Sequence, residues 1–503
     1  MPVVVEVQDA INAIGVGRYQ WRLLLMCSAS YMGDAMEIML VSYLSPVVAK
    51  LWDLSETQEA TLVAVVFAGE LLGAFGWGLV GDRYGRRACF LLSSLIVCLA
   101  GAASAASTGF VMLCSLRFLV GFGVAGLAVP FDLLMELLPD EKRGRMLNIY
   151  QYSWPVGSLF ASGAAWLILP RLELALGWRV FVGVCAVPPC LALACSPWVP
   201  ESPEWLMARG RRAEVAEVLT AMAAANGAPP PPPAEQLVAE DCAAEAGGEG
   251  ASSSASALRL FGPGLRRTTL VLWLIYAAFG FTYYGAILFF QRVFEAGGGT
   301  GGDTHETCET CAPYLDYGDD MIAASSELAG TTMTLLLLGR LGRVWSQVCF
   351  SMLAAAAMLT LGFCDGSSAV PFWVTVVAAF VARGALIATC NAAWVMTPEL
   401  YPAAVRASGH QFATAANRIA AFGTAYVAAG LSMRTIAIVY GSVDFLAALA
   451  PLCLPRQTKA DLRTAESERI WPRRSSSSVY FGAPPSRLGS ALLSDYSNVP
   501  AAE

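Results

Sequence analysis

Asp34 and Glu37 stand three residues apart inside an apolar stretch at 21–49. That spacing puts both carboxylates on one face of a helix. At ~1.5 Å of rise per residue they fall near the middle of a span crossing ~30 Å of hydrocarbon. Ionisable groups there cost about 3 kcal/mol or more each and as a rule face a cavity. Two such carboxylates repel when both are charged, so the pair suits proton coupling or a cation site. A structural pair bonded to neighbouring helices is the plainer alternative.

Other polar groups sit in similar stretches. Glu327, Asp132 and the lone Glu70 are acidic, and Arg418 stands beside Asn417. Arg418 is the candidate partner for a substrate carboxylate. Gln151 is a candidate for solute contact, and Trp154, Tyr283 and Tyr284 are candidates for stacking on an aromatic or cationic solute. For any single aromatic in a span, packing is the ordinary explanation. Arg117 and Arg383 also lie in apolar stretches and must be paired or hydrated.

These residues need a scaffold, and the composition says which kind. Of 503 residues 56% are hydrophobic and only 14% charged, with a mean hydropathy of +0.55. A soluble chain carries about a quarter charged residues. The apolar blocks reach the length of a membrane-crossing helix and lack the alternation of barrel strands. The expected fold is all-α and membrane-integral. Twelve helices are expected at 21–49, 60–80, 88–107, 109–138, 147–170, 177–198, 267–291, 320–339, 344–364, 371–398, 408–430 and 434–454.

Six precede a polar stretch and six follow it. The domain reading is a terminal segment 1–20, a six-helix bundle 21–198, a partly disordered linker 199–266, a second bundle 267–455 and a disordered tail 456–503. The linker holds Pro229 to Pro233 and an Ala/Gly/Glu/Ser-rich run. Its start, Glu201 to Ala225, has helical periodicity. Arginine and lysine concentrate in alternate connections, which are therefore expected to be cytoplasmic, with both termini. No cleavable signal peptide is evident, because the first apolar block is too long and carries acids. Arg473-Arg474 before Ser475 to Ser478 reads equally as a kinase target or as an unmodified tail.

Short features recur in both halves. GDRYGR at 81–86 has its counterpart in LGRLGR at 338–343. E-x-x-P-x-x-x-R runs from Glu136 to Arg143 and again from Glu399 to Arg406. Two parallel six-helix repeats are expected. Asp82, Arg83, Arg86, Arg117, Glu136, Arg143, Arg340, Arg343, Arg383, Glu399 and Arg406 form a candidate gating network of charge-assisted bonds. The alternative is that the arginines only fix topology. Gly339 stands where the first half has Asp82, so the second copy is expected to be weaker.

At these residues the chain resembles the sugar-porter-like and organic-ion branches of the major facilitator superfamily. GDRYGRR, RFLVGFGVAG at 117–126 and PESPEWL at 200–206 carry the resemblance. GDAMEIMLVSYLSP at 33–46, VPFDLLMELLP at 129–139, NGAP at 226–229 and MTPELYPAAVRASG at 396–409 are similar to the synaptic vesicle 2-related family. So are the paired cysteines with YLDYGDD in 308–320. The resemblance implies alternating-access transport of a small organic ion, nicotinate-like or an organic cation; the Asp34 and Glu37 pair adds protons as the expected coupling ion. It leaves open a vesicle protein that binds ligands without transport. Gln151, six residues before Gly157, is similar to sugar porters, but the paired glutamines and the Gly-Pro-x-x-Trp pattern of that group are missing. A hexose therefore ranks below an organic ion. The membrane is the plasma membrane or that of an internal vesicle.

Other chemistry finds no support. No P-loop appears and no G-x-S-x-G, so neither ATP-driven pumping nor hydrolysis is indicated, and the chain does not read as an enzyme. No cofactor or metal is expected. His305, Cys308 and Cys311 supply only three ligands, short of a zinc site. Cys308 and Cys311 could close a disulfide on an oxidising side or pair elsewhere. Most of the fourteen cysteines lie singly in apolar blocks and behave as small hydrophobes. A net charge of −7 with no lysine-rich run excludes nucleic acid as a partner; the expected partners are the lipid bilayer, the solute and protons.

Overall fold

A chain segment in hydrocarbon must satisfy its own backbone, and helix does so locally. The computed structural model describes residues 5–238, 260–262, 265–297, 317–363, 371–401 and 403–454. They belong to a unit spanning Met1–Leu454; a second unit, Pro455–Glu503, lies outside the described residues. Each of the twelve expected stretches falls mainly on helix among the described residues. In chain order the helices are α1 (Val7–Ile14), α2 (Arg18–Trp52), α3 (Glu56–Tyr84), α4 (Arg86–Ala105), α5 (Phe110–Ala125) and α6 (Val129–Glu136). Then come α7 (Asp140–Gln151), α8 (Ser153–Ile168), α9 (Leu174–Cys185), α10 (Val187–Cys195), α11 (Pro203–Ala208) and α12 (Arg212–Asn226). The later helices are α13 (Arg266–Gly297), α14 (Tyr317–Leu341), α15 (Arg343–Leu361), α16 (Phe372–Leu400), α17 (Ala403–Gly430) and α18 (Met433–Leu449).

Among the described residues ten helical stretches are long and apolar enough to cross a membrane. The expected stretches 147–170 and 408–430 fall outside that set. The first is divided between α7 and α8; the second, within α17, carries Arg418 and His410. Three expected helices are interrupted, each where a proline removes a donor. Pro130 cannot donate to Gly126, and a short 3-10 turn fills Gly126–Ala128 between α5 and α6. Pro155 leaves the carbonyl of Gln151 without its donor, and α7 ends there. Pro188 and Pro189 do the same where α9 gives way to α10 at Ala186.

Helix pairings repeat between the halves. In the first, α3 packs on α5, α4 on α5, α2 on α8 and α10 on α4; in the second, α14 packs on α16, α15 on α16, α13 on α17 and α18 on α15. The halves meet chiefly along two seams, α3 against α17 and α8 against α14, and α2 also touches α13. Glycines permit the closest approaches. A Cβ on Gly121 of α5 would lie 2.2 Å from the Val66 carbonyl oxygen, and one on Gly330 of α14 would lie 2.1 Å from that of Gly384.

The terminal segment and the linker are more ordered than expected. Strand β1 (Val5–Glu6) pairs in parallel with β2 (Leu237–Val238). Val7, Ile11 and Ile14 of α1 are buried with Leu206 of α11, Val215, Leu219 and Met222 of α12 and Leu137 and Leu138 after α6. Asn226 ties the layer together: its Oδ1 accepts from the Tyr19 N–H at 3.0 Å, and its Nδ2 donates to Gly15 O and Gln20 Oε1 at 3.2 and 2.9 Å. Within 199–266, α11 and α12 fall in the segment Glu201 to Ala225 whose periodicity is helical. The apolar face that makes it fold is borrowed from residues 7–14.

Candidate functional site

Three arginines organise the interior, Arg117 and Arg383 fully buried and Arg418 partly so, each in a helix whose neighbours supply carboxylates. Arg117 of α5 is fully buried and its Nη1 donates to both oxygens of Glu37, at 2.8 and 3.0 Å. Its Nε reaches Ser104 Oγ at 3.2 Å. Arg418 of α17 lies 2.6 Å from Glu70 of α3 and 3.5 Å from Asp34 of α2, and donates to the Tyr284 hydroxyl at 2.7 Å. Arg383 of α16 donates from Nε to Glu327 at 2.8 Å and lies 3.4 Å from Asp320, both on α14.

Asp34 and Glu37 thus share a face of α2 but serve different arginines. Glu37 is held tightly inside the first half. Asp34 has one long contact, across the seam to Arg418, and its Oδ1 is buried with no hydrogen-bond partner. The Arg418 cluster holds two carboxyl groups for one guanidinium, and so does the Arg383 cluster. A buried charge left uncompensated is costly, so each has room for one more positive charge, a proton or part of a solute.

Aromatic rings surround this centre. Tyr31 stacks on Tyr150 with centroids 4.8 Å apart and lies 5.3 Å from Trp154. Trp154 donates to the Tyr283 hydroxyl at 2.7 Å, which donates to Glu327 at 2.9 Å. Phe67 and Phe279 pack on Tyr284 and Tyr283 at 4.9 and 5.0 Å. An apolar pocket beside Tyr284 is lined by Ile38, Val66, Phe67 and Ile287. A separate polar pocket is lined by Asn148, Gln151, Tyr152, Thr331, Thr334 and Asn391. Gln151 Oε1 is buried with no partner. Asn417, by contrast, spends its amide on the Tyr276 carbonyl at 3.2 Å and packs against Gly280.

The arginine-rich ends of the helices are arranged differently from the expected gate. Glu201 caps α4: its Oε1 accepts from the N–H groups of Arg86 and Arg87 at 2.7 and 3.2 Å. Gly85 turns into α4 at φ 95°, where a Cβ would strike Glu201. Glu136 accepts from Ser202, and Arg143 pairs with Asp140 at 3.0 Å, so Glu136 and Arg143 do not meet. Arg83 and Arg340 are exposed, and Arg343 is partly buried. Arg117 and Arg383 are bound to the deep clusters instead of these loops. Asp132 is exposed, faces Arg86 of the first arginine-rich loop and Glu204, and is absent from the three deep clusters. The side chains of Asp82, Glu399 and Arg406, and all of Cys308 and Cys311, lie outside the described residues.

Sequence reasoning passed over Asp320, Tyr43 and Glu201, and gave Glu70 little weight. Asp320 sits in the first turn of its helix, where an acid is ordinary. Glu70 stood alone on an apolar face. Only its partner on α17 distinguishes it.

The family profile described as "Sugar (and other) transporter" matches residues 30–450. Among curated relatives, the putative transporter svop-1 of Caenorhabditis elegans is 33% identical over 462 residues, covering 90% of this chain and 85% of that protein. The organic cation/carnitine transporter 7 of Arabidopsis thaliana is 31% identical over 483 residues, covering 89% and 93%. The synaptic vesicle 2-related protein of Xenopus laevis is 32% identical over 500 residues, covering 96% and 87%. Among solved structures, the inward-open xylose transporter XylE from E. coli superposes with a TM-score of 0.68 at 18% identity, covering 90% of this chain and all of that one.

Proposed function

Because the chain belongs to the sugar (and other) transporter family of the major facilitator superfamily, and is a multi-pass membrane transporter, we propose that it carries a small organic cation by proton-coupled alternating access. In this reading twelve helices form two six-helix bundles that rock about the Arg418 cluster. The helices of α7–α8 and α17 complete the ten apolar ones. The repeated pairings support the two bundles, and the arginine-rich ends are cytoplasmic.

The observation that carries the reading is the contact of Asp34 and Glu70, from the first half, with Arg418 of the second. This ion cluster lies at the seam, where alternating access needs a site. Arg418 is already engaged by acids, which disfavours the role of holding a substrate carboxylate. Asp34 is the loosely held member and has a free oxygen. A cationic head can take Asp34, with Tyr31, Trp154 and Tyr284 supplying π-faces nearby. A proton on Asp34 or Glu37 is the coupling charge. The relative named as an organic cation/carnitine transporter fits the same choice.

A second reading rests on the unpartnered Gln151 and the polar pocket around it, which suit a hydroxylated neutral solute such as a sugar. Uptake into proteoliposomes decides between them, with and without an inward proton gradient. Competition is measured with a quaternary ammonium, nicotinate and glucose. Gradient-driven uptake competed by the ammonium, with its gradient dependence lost in Asp34→Asn, supports the proposal. Competition by glucose alone favours the sugar reading, and by nicotinate alone an anion carrier. Uptake that ignores pH and survives Asp34→Asn with Glu37→Gln ends the coupling claim. Absence of flux with ligand binding retained favours a non-transporting receptor.

A further inference from the structure

We propose, resting on the alternating-access reading above, that Asp320, Glu327 and Arg383 are a second proton-binding site, which latches the outer ends of the two halves. Arg383 faces two carboxyl groups, and the groups that complete its shell come from the other half. The Tyr43 hydroxyl of α2 donates to Asp320 and also lies 2.8 Å from Ser162 of α8. Met39 Sδ, again on α2, takes the Arg383 Nη2–H at 3.0 Å. A neighbouring bond across the same end joins Gln291 of α13 to Ser42 at 2.8 Å. Among the described residues, the other titratable groups recorded as facing the cluster are Tyr283 of α13, Tyr317 of α14, which packs on Tyr43, and Cys390 of α16. They bring no second cation.

Asp320 and Arg383 are each 1% exposed and Glu327 is fully buried. In that enclosure two carboxylates and one guanidinium leave a negative charge, and Glu327 Oε2 has no partner. One proton from the outer solution, added to a carboxylate oxygen, neutralises the cluster; no other bond changes. When the outer ends part, Tyr43 and Met39 leave, water enters and the extra charge is tolerated. The closed state therefore binds the proton more tightly, and by linkage protons favour outer closure. High outside pH opens the seam, and low pH shuts it.

The test uses the full-length protein in proteoliposomes with Ser42→Cys as a reporter on the seam. Labelling by a membrane-impermeant maleimide is normalised to an exposed cysteine at Asp53→Cys, after subtraction of native cysteines. Between about pH 5.5 and about pH 8.5 the normalised rate is expected to rise ~10-fold. Asp320→Asn, or Glu327→Gln should that variant not fold, neutralises the cluster without a proton and holds labelling at the low-pH level throughout. Tyr43→Phe weakens the closed state and moves the rise to lower pH. A flat response in the parent, or an Asp320→Asn protein that folds and keeps the parent's pH dependence, overturns the latch. Labelling needs no solute, so the two proposals fail separately. A protein that carries nothing yet shows the Asp320→Asn effect sinks transport and supports the latch; proton-driven uptake with unchanged labelling does the reverse.

Discussion

Glu70 on α3 and Arg418 on α17 approach to 2.6 Å, and the contact joins the two halves of the chain at one of the two seams where they pack. Removing one member strands the other. Arg418→Gln leaves Glu70 and Asp34 close together with no cation, a change that costs about 3–5 kcal/mol when a buried pair is broken from one side. The purified variant is expected to unfold at a markedly lower temperature. The double variant Glu70→Gln with Arg418→Gln is expected to recover part of that loss, because only Asp34 is then left without its cation. A double variant no more stable than Arg418→Gln would show that the two residues act independently.

The two acids of α2 are expected to separate by role. Glu37 is fixed to Arg117 by two short contacts, whereas Asp34 has one long one. Asp34→Asn is expected to keep the fold, to lose the rise of uptake with outside acidity, and to weaken competition by a quaternary ammonium ~10-fold or more. Glu37→Gln strands Arg117 and is expected to lower thermal stability by about 3 kcal/mol or more. Uptake against outside pH, read beside thermal unfolding, tells these apart. Equal stability losses in both variants would contradict the division.

Much of this fold is written locally in the sequence. Apolar length sets the spans, and Pro130, Pro155 and Pro188-Pro189 set the breaks. The proline effect needs only the missing donor, yet those helices read as continuous until the geometry of each break was in view. Arg117 and Arg383 announce themselves as charges in apolar runs, but nothing local says that one takes Glu37 and the other takes Asp320 and Glu327. Those choices belong to helix packing. In the linker the helix showed in the periodicity of Glu201 to Ala225, but what it packs on was hidden for a related reason. Val215, Leu219 and Met222 form a stripe with no partner nearby in sequence, and α1, which covers it, is an eight-residue segment near the N-terminus.

Helix contacts built on glycine give a prediction about folding alone. A side chain at Gly121 or Gly330 would meet a backbone oxygen near 2.2 and 2.1 Å, and backbone cannot swing aside. Gly121→Val and Gly330→Val are expected to yield little monodisperse protein in detergent, through overpacking worth about 1–3 kcal/mol or more. Gly163→Ala, with nothing within 4 Å of its Cβ, is the control and is expected to match the parent in yield. Normal yield from both valine variants would mean that α3–α5 and α14–α16 pack less closely than described.

Asn226 is the hinge pin of the layer formed by α1 and the linker. It makes one backbone acceptor bond and two donor bonds, to Tyr19, Gly15 and Gln20. Gly17 passes so close that a Cβ there would fall 2.4 Å from the Asn226 side chain, so shape and bonding are fitted together. Asn226→Ala removes all three bonds and leaves the Tyr19 N–H without its acceptor, a cost of about 1–3 kcal/mol for each buried group left unpaired. The transmembrane helices do not depend on those bonds, so the loss is expected to appear locally. Hydrogen exchange should accelerate in residues 5–20 and 212–238 while α3 and α14 keep their protection. Acceleration confined to 212–238 would mean that α1 holds to the turn after α6 by itself, through Gln8 on the Leu138 carbonyl and Asn12 on Asp140.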